Sequence, residues 1–419
     1  MITIKEIFDD IEKNGGFTPS RRVRDVAKLY PTRIAFRDKK FGIWNEITYE
    51  SFWNEAQYVG NALNYFGVDK SDKVAIHSEN RPEWLIADVG IQSRGAVTVG
   101  LYPTNPPSEV KYLLGHSESK ILFAEDQEQV DKALEVIDHL SGLVKIVYFE
   151  ERGLTKYSSD KLMSWNEFLD LGKKEFQKKQ DFINQCVDEI KSEDLAMLIY
   201  TSGTTGPPKG SMLTHGNLEW TSTMIPNLSF TPRLDSPEFL SYLPLCHVFG
   251  RLVDLCIGTT TIGTINFAES IDTVQKDLAE IQPSIFPAVP RILERMHAGT
   301  LVRMKDASRL KQLLFKLASF FGDITAERRL KNGKSDSIAH ITNFIAQTLA
   351  FRSLRKKLGL LNINNAVSGA APISAEILRF FMSMGVPIYE GYGMTENCAI
   401  ATGNTPEKVK LGTVGIPQP

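Results

Sequence analysis

Apolar positions recur along this chain in two alternating periods. Short runs rich in β-branched residues, "KVAIHS" (73–78), "AVTVGLY" (96–102), "KILFAE" (120–125) and "KIVYFE" (145–150), predict buried strands. Between them the spacing changes to three and four. In "YESFWNEAQYVGNALNYFG" (49–67), Phe52, Ala56, Val59, Leu63 and Phe66 share one helical face, and Gly67 predicts the stop. "RPEWLIADVGIQSRG" (81–95) predicts a second helix opened by Pro82. After a charged stretch at 182–196 the style resumes, with strands predicted at "LAMLIY" (195–200), "EFLSYL" (238–243), "TTTIGTINF" (259–267) and "VPIYEGY" (386–392). Strands alternating with helices predict an α/β fold of mostly parallel sheets covered on both faces. The expected division is into lobes 1–193 and 194–419, because 419 residues exceed one hydrophobic core.

One segment breaks the pattern. Residues 303–357 are helical in spacing and carry thirteen Lys or Arg against four Asp or Glu, a local charge of +9. Leu313, Leu314, Phe315, Leu317, Phe320 and Phe321 are interleaved with these charges. Such a helix can lie on an anionic membrane surface. The plainer expectation is a helical insertion, around 297–360, whose apolar face packs on the body.

Composition narrows the classes. Net charge is −2, so no whole-chain attraction to nucleic acid exists. Cys186, Cys246, Cys256 and Cys398 form no C-x-x-C pair, and the seven histidines show no zinc-site spacing. The N-terminus does not read as a signal peptide, and no apolar run would span a bilayer, so the expected location is cytoplasmic.

The candidate chemistry begins at "YTSGTTGPPKG" (200–210). Its glycines let the backbone turn sharply and bring N–H groups near a ligand. Ser202, Thr204 and Thr205 add hydroxyls, and Lys209 adds a cation. "SMLTHGNLEW" then reads as a helix start capped by Thr214 or Asn217, and strand, Gly-rich loop, helix is an arrangement that binds phosphate. The phosphate-loop NTPase spacing is absent, since Lys209 lies three residues after Gly206 behind two prolines. In "YEGYGMTE" (389–396), Gly391 and Gly393 keep the chain tight, Tyr392 offers a flat face to a purine, Thr395 a hydroxyl, and Glu396 a hard oxygen for Mg²⁺.

The run 200–210 resembles the phosphate loop of the adenylate-forming superfamily, which includes acyl-CoA synthetases. "LPLCHVFGR" (243–251), "SGAAPIS" (368–374) and "YEGYGMTE" resemble further motifs of that family, in the expected order. The resemblance implies two stacked αβα lobes as the large domain. It implies Lys209, His247, Thr395 and Glu396 as catalytic groups, and Thr201 beside Glu396 at a Mg²⁺ ion. Thr201, Ser202, Gly203, Thr204, Thr205 and Gly206 would hold the triphosphate. Gly369, Ala370, Ala371 and Pro372, with Glu390, Gly391, Tyr392 and Gly393, would line the nucleotide pocket.

The implied reaction joins a carboxylate to the α-phosphate of ATP and passes the acyl group to coenzyme A. "FPAVPRILERM" (286–296) and the long insertion after it resemble the long-chain fatty acyl-CoA synthetases. A medium-chain or aryl-acid ligase, and a non-catalytic nucleotide- or acyl-binding fragment, stay open as alternatives. Fatty acid, ATP and coenzyme A are the implied partners, with a homodimer and a peripheral membrane contact left open. The family pattern continues past "GTVGIP" (412–417) with a small mobile C-terminal domain, absent from these 419 residues. The expectation is a large N-terminal part that turns over slowly or not at all.

Overall fold

A computed structural model describes residues 18–201, 206–224, 237–332, 336–363 and 366–418. The chain divides into two compact units. One comprises 18–222 and 241–267, and the other 223–240 and 268–418, as far as these are described. The division therefore falls near 222 and 267, not at 193.

The first unit contains strands β1 (Ile34–Lys40), β2 (Ile43–Thr48), β3 (Lys73–His77), β4 (Val97–Leu101), β5 (Ser119–Ala124), β6 (Lys145–Tyr148), β7 (Leu162–Ser164), β8 (Leu195–Thr201) and β9 (Lys209–Thr214). Seven of them form a sheet of order β7-β6-β5-β3-β4-β8-β9. All its pairings are parallel except β8 with β9. Its strands read as near-continuous apolar runs because helices cover the sheet. Two of these, Tyr49–Tyr65 and Pro82–Ser93, match the predicted amphipathic segments, with Thr48 and Pro82 at their starts. They meet at Gly90, where a Cβ would lie 2.5 Å from the Val59 side chain. A helix-interior glycine costs about 1 kcal/mol against alanine, and here it permits the close approach.

The chain crosses between units through β10 (Glu238–Ser241). The strand expected at 259–267 shortens to β11 (Thr264–Phe267), which pairs parallel with β1. Residues Gly258–Thr260 finish a helix instead. Thr259 and Thr261 donate their hydroxyls to the carbonyls of Leu255 and Ile257, so these β-branched residues are satisfied in a helix.

The second unit holds β12 (Phe286–Ala288), β13 (Ala366–Ser368), β14 (Ile388–Tyr392), β15 (Thr402–Gly403) and β16 (Ile416–Pro417), in that order across one sheet. The pairs β12–β13–β14 are parallel, and β15 and β16 add antiparallel. The segment after β12 is helical, as expected: Pro290–Lys305, Arg309–Asn332, Ser337–Ala346 and Arg352–Leu358. No helix of the described residues is long and apolar enough to cross a membrane.

One buried ion pair anchors the first unit. Asp88 is the only charged residue inside the apolar run 84–91 and is fully buried. Its Oδ1 accepts from Arg251, from Gln92 Nε2 (2.9 Å) and from Thr98 Oγ1 (2.6 Å). The buried Arg251 guanidinium also sits 5.0 Å over the Trp84 ring. Removing one partner strands the other charge in the core. Asp88→Ala should therefore cost about 3–5 kcal/mol by denaturant unfolding, while Asp88→Leu combined with Arg251→Met should cost clearly less than the two single changes summed.

Candidate active site

The Gly-rich run closes the β8–β9 pair. Tyr200 lies opposite Gly210 and Thr201 opposite Lys209. Directly opposed residues of an antiparallel pair project to the same face, so the Thr201 hydroxyl and the exposed Lys209 ammonium share one side of the loop's mouth. Gly206 takes a left-handed φ of 86°. Ser202, Gly203, Thr204 and Thr205 lie outside the described residues. The helix expected directly after the loop starts only at His215. Thr214 does cap it: its Oγ1 accepts the Asn217 N–H (3.2 Å) and its own N–H bonds Asn217 Oδ1 (2.9 Å). The sequence pattern missed β9 because pairing with the free edge of β8 outweighs the helical tendency of 209–214. The helix start is displaced from the loop by a six-residue strand, about 20 Å. The helix N-terminus therefore does not adjoin the loop.

Two residues that the sequence reading did not single out hold this loop. On the helix Pro107–Ser117, Tyr112 and His116 are one turn apart and their rings stack at 5.3 Å. Tyr112 donates its hydroxyl to the Pro208 carbonyl (3.0 Å) at the loop's exit. His116 Nδ1 bonds the Tyr200 hydroxyl (2.8 Å) at its entrance. Burial pushes the Tyr200 phenol up to about 12, so it stays neutral across the physiological range. Their i, i+4 spacing puts the two polar aromatics on one helical face, but nothing local names their partners.

His247 heads the short helix Val248–Arg251. Its Nδ1 accepts the Phe249 N–H (3.1 Å), and burial lowers its pKa below the ordinary histidine value. The imidazole is thus held neutral with its proton on Nε2, a donor and not a base. Neighbouring Cys246 is buried and its thiol is pushed far up, which excludes a thiolate nucleophile. Cys246 rests on Gly100, where a Cβ would lie 2.8 Å from its Cα. Gly100 pairs with Ile199, so the histidine loop meets the sheet two residues before Thr201.

Asn80 clamps the approach to this loop. Its Nδ2 donates to Ser241 Oγ (2.9 Å) and the Leu243 carbonyl (2.7 Å), and its Oδ1 takes the Leu245 N–H (3.0 Å). Ser241 in turn donates to fully buried Asp254. Burial pushes the Asp254 carboxyl up to about 7.

In the second unit, "SGAAPIS" and "YEGYGMTE" leave the same edge of the sheet, because Ser368 and Glu390 are register partners on β13 and β14. A Cβ on Gly369 would sit 3.2 Å from the Gly391 carbonyl, so the two stretches touch through backbone. Ala370 is left-handed (φ 68°), and Ala370, Ala371 and Pro372 are exposed. The Ser368 hydroxyl is buried without a partner among the described residues. Tyr392 is half exposed. Gly393 is sterically required, since a Cβ there would fall 1.8 Å from the Ala399 carbonyl oxygen. Thr395 is buried on the turn Thr395–Asn397, and Glu396 beside it is exposed with no hydrogen bond among the described residues. The Glu390 carboxylate is instead taken up inside the unit, accepting the Gly412 N–H (2.9 Å).

Comparison with known proteins identifies the family and the fold. The AMP-binding enzyme family profile matches residues 23–419. A long-chain-fatty-acid–CoA ligase ACSBG2 of Xenopus laevis is 30% identical over 398 residues, 94% of this chain and 53% of that protein. The Gallus gallus ACSBG2 is 32% identical over 94% of this chain and 51% of its own length. Long chain acyl-CoA synthetase 3 of Arabidopsis thaliana is 31% identical over 91% and 56%. The chain thus spans about half the length of the curated relatives it matches. Among solved structures, the anthranilate CoA ligase AuaEII in complex with anthranoyl-AMP superposes with a TM-score of 0.66 at 20% identity, covering 96% of this chain and 65% of that one. The N-terminal domain of FACL13 from Mycobacterium tuberculosis gives 0.61 at 17%, covering 95% and 82%. At these identities the structural likeness speaks for the fold, an adenylate-forming large domain.

Two outcomes test this geometry. Tyr112→Phe combined with His116→Ala loosens both ends of the loop. It should speed amide hydrogen exchange at Tyr200, Thr201 and Lys209 about tenfold while leaving the melting temperature within a few degrees. Unchanged exchange would mean that the clamp is only packing. A carboxyl held protonated above its ordinary pKa contributes fully below that value and loses its contribution as pH climbs through the folded value. The stability difference between the native chain and Asp254→Asn should therefore move against the native chain as pH rises from 4, most steeply between about 5 and 6, and level off above about 7. Thermal melts of both proteins across that range read the difference directly, with other titrating groups cancelling.

Proposed function

Because the chain belongs to the AMP-binding enzyme family, we propose that it is the large catalytic part of a ligase that activates a long-chain fatty acid with ATP, giving an acyl-adenylate for transfer to coenzyme A. The observation that carries this reading is the β8–β9 register, which puts the Thr201 hydroxyl and the Lys209 ammonium on one face at the mouth of the glycine-rich loop. A triphosphate needs this set of backbone, hydroxyl and cationic donors. The long-chain choice rests on the curated relatives, whose names carry that substrate, and on the long helical insertion after β12.

Each group has a role in this chemistry. Lys209 and the loop hold the phosphates. His247, fixed as a neutral Nε2–H donor, can donate a hydrogen bond to an anionic oxygen. Tyr392 and the turn at Gly369–Pro372 offer a flat-walled seat for a purine, and the unpartnered Ser368 hydroxyl there could meet a ring nitrogen. Thr201 in the first unit and Glu396 in the second are each a candidate to hold Mg²⁺. Both supply the hard oxygens this ion prefers, and the Glu396 carboxylate is not engaged elsewhere among the described residues. When bound, the ion neutralises phosphate charge. No residue is needed as a nucleophile, since the substrate carboxylate attacks the α-phosphorus and pyrophosphate leaves. The protein's contribution is then alignment of two anions and stabilisation of the developing charge.

Mass spectrometry of the chain mixed with ATP, Mg²⁺ and palmitate, decanoate, coumarate or acetate tests the reading. An acyl-adenylate formed best from palmitate is expected, reduced at least about 100-fold in Lys209→Ala. Formation of ADP would overturn the ligase assignment, and preference for coumarate or acetate would overturn the long-chain choice.

A further inference from the structure

The helices Arg309–Asn332 and Ser337–Ala346 run back along each other as a hairpin, tied by the Thr325–Thr342 hydroxyl pair (2.7 Å) and the Arg328–Asp336 ion pair (2.6 Å). Their inner faces are small. Ala318, Thr325, Ala326, Ala339, Thr342 and Ala346 are buried, and a Cβ on Gly322 would lie 2.4 Å from the Ser383 carbonyl oxygen. Small inward residues let the hairpin sit close against its unit.

The outward faces are the unusual part. Leu310, Leu313, Leu317 and Phe320 recur at steps of three, four and three, which is a single helical stripe, and it points away from the buried face. All four are exposed, Phe320 by 61%. On the second helix Ile341 and Phe344 are likewise exposed, Phe344 by 71%. Of the six apolar residues that the sequence interleaves with charge between 313 and 321, the expected packing on the body holds for Leu314, Phe315 and Phe321, which are partly buried, and not for the other three. Scattered exposed leucines need no explanation, but a periodic apolar stripe continued on a neighbouring helix marks an interaction surface.

Charge selects the occupant. Arg303, Lys305, Arg309, Lys311 and Lys316 flank the stripe's start, all exposed and without a carboxylate partner among the described residues. Asp306 is the single acid between 298 and 321. A second copy docking symmetrically would bring two such cationic rims together, which opposes association. A bilayer carrying anionic lipid answers both features. Its headgroups meet the Lys and Arg heads, and the acyl boundary receives Leu and Phe side chains while the long cationic stems lie along it.

We propose that the outward face of this helical hairpin is a docking surface for an anionic lipid bilayer. The surface is independent of the ligase reading, because its test needs no turnover. The full chain is sedimented with vesicles of phosphatidylcholine alone and with vesicles containing about 30% phosphatidylglycerol. Binding is expected on the anionic vesicles, weak on the neutral ones, and strongly reduced at about 0.5 M salt. Leu313→Glu with Phe320→Glu, both at exposed positions, should lower partitioning about tenfold or more without shifting the melting temperature, and Lys311→Glu with Lys316→Glu should do the same on anionic vesicles. Equal binding to both vesicle types, no binding, or binding indifferent to these variants would overturn the proposal. So would a concentration-dependent dimer in light scattering that Phe320→Glu dissolves, which would assign the face to a second copy.

Discussion

The antiparallel return of β9 onto β8 is the constraint on which the candidate site depends. Every other pairing in that sheet is parallel and demands a long crossover. This one closes within residues 202–208, with Thr201 and Lys209 already in register at its ends. A glycine-rich loop free at either end would lose much conformational entropy on gripping a ligand. Here the ladder has already fixed both ends, and the Tyr112 and His116 bonds to Pro208 and Tyr200 fix the flanks. The two described ends of the run are thus held from outside it.

The same logic of preorganisation explains why the first unit buries so many polar groups. Asn80, Asp88, Arg251 and Asp254 lie in or beneath the histidine loop and are costly to desolvate. Apolar replacements would fill the space, but they would not specify where the backbone of 241–251 runs. Asn80 does so with three hydrogen bonds to that segment, and Arg251 does so by binding a helix laid down much earlier in the chain. His247 gains its tautomer from this arrangement, since only the helical turn after it presents the Phe249 N–H to Nδ1.

How much of this was legible varied with the range of the cause. The four early strands and the helices at 49–65 and 82–93 are set by local periodicity and local stops, and they appear where the pattern puts them. The motif stretches were legible as a family resemblance, because glycine, threonine and lysine at fixed spacing matched the family whose profile covers 23–419. The strand after the loop was not, because 209–214 has no strong strand pattern and is ordered by an edge elsewhere in sequence. Tyr112, His116 and Asn80 went unmarked for a related reason. Their partners lie 84 to 165 residues away, and nothing in their own neighbourhoods betrays the pairing. Asp88 did leave a trace, a lone carboxylate in an apolar run, which physically requires a buried partner.

The helix Arg309–Asn332 shows a further way in which a sequence pattern can conceal its use. Periodicity reveals a face only when the opposite face is polar. In this helix small residues line the buried side, while leucine and phenylalanine stand on the exposed side. The two apolar faces nearly cancel as a pattern, so the segment reads as uniformly mixed and its direction is lost. Three dimensions restore it, because Gly322 against Ser383 fixes which side is inward. The division also separates two physical tasks. The inner face supplies cohesion through close backbone approach and is insensitive to what stands outside. The outer stripe, which contributes little to folding, is left to carry charge and apolar area for whatever covers it.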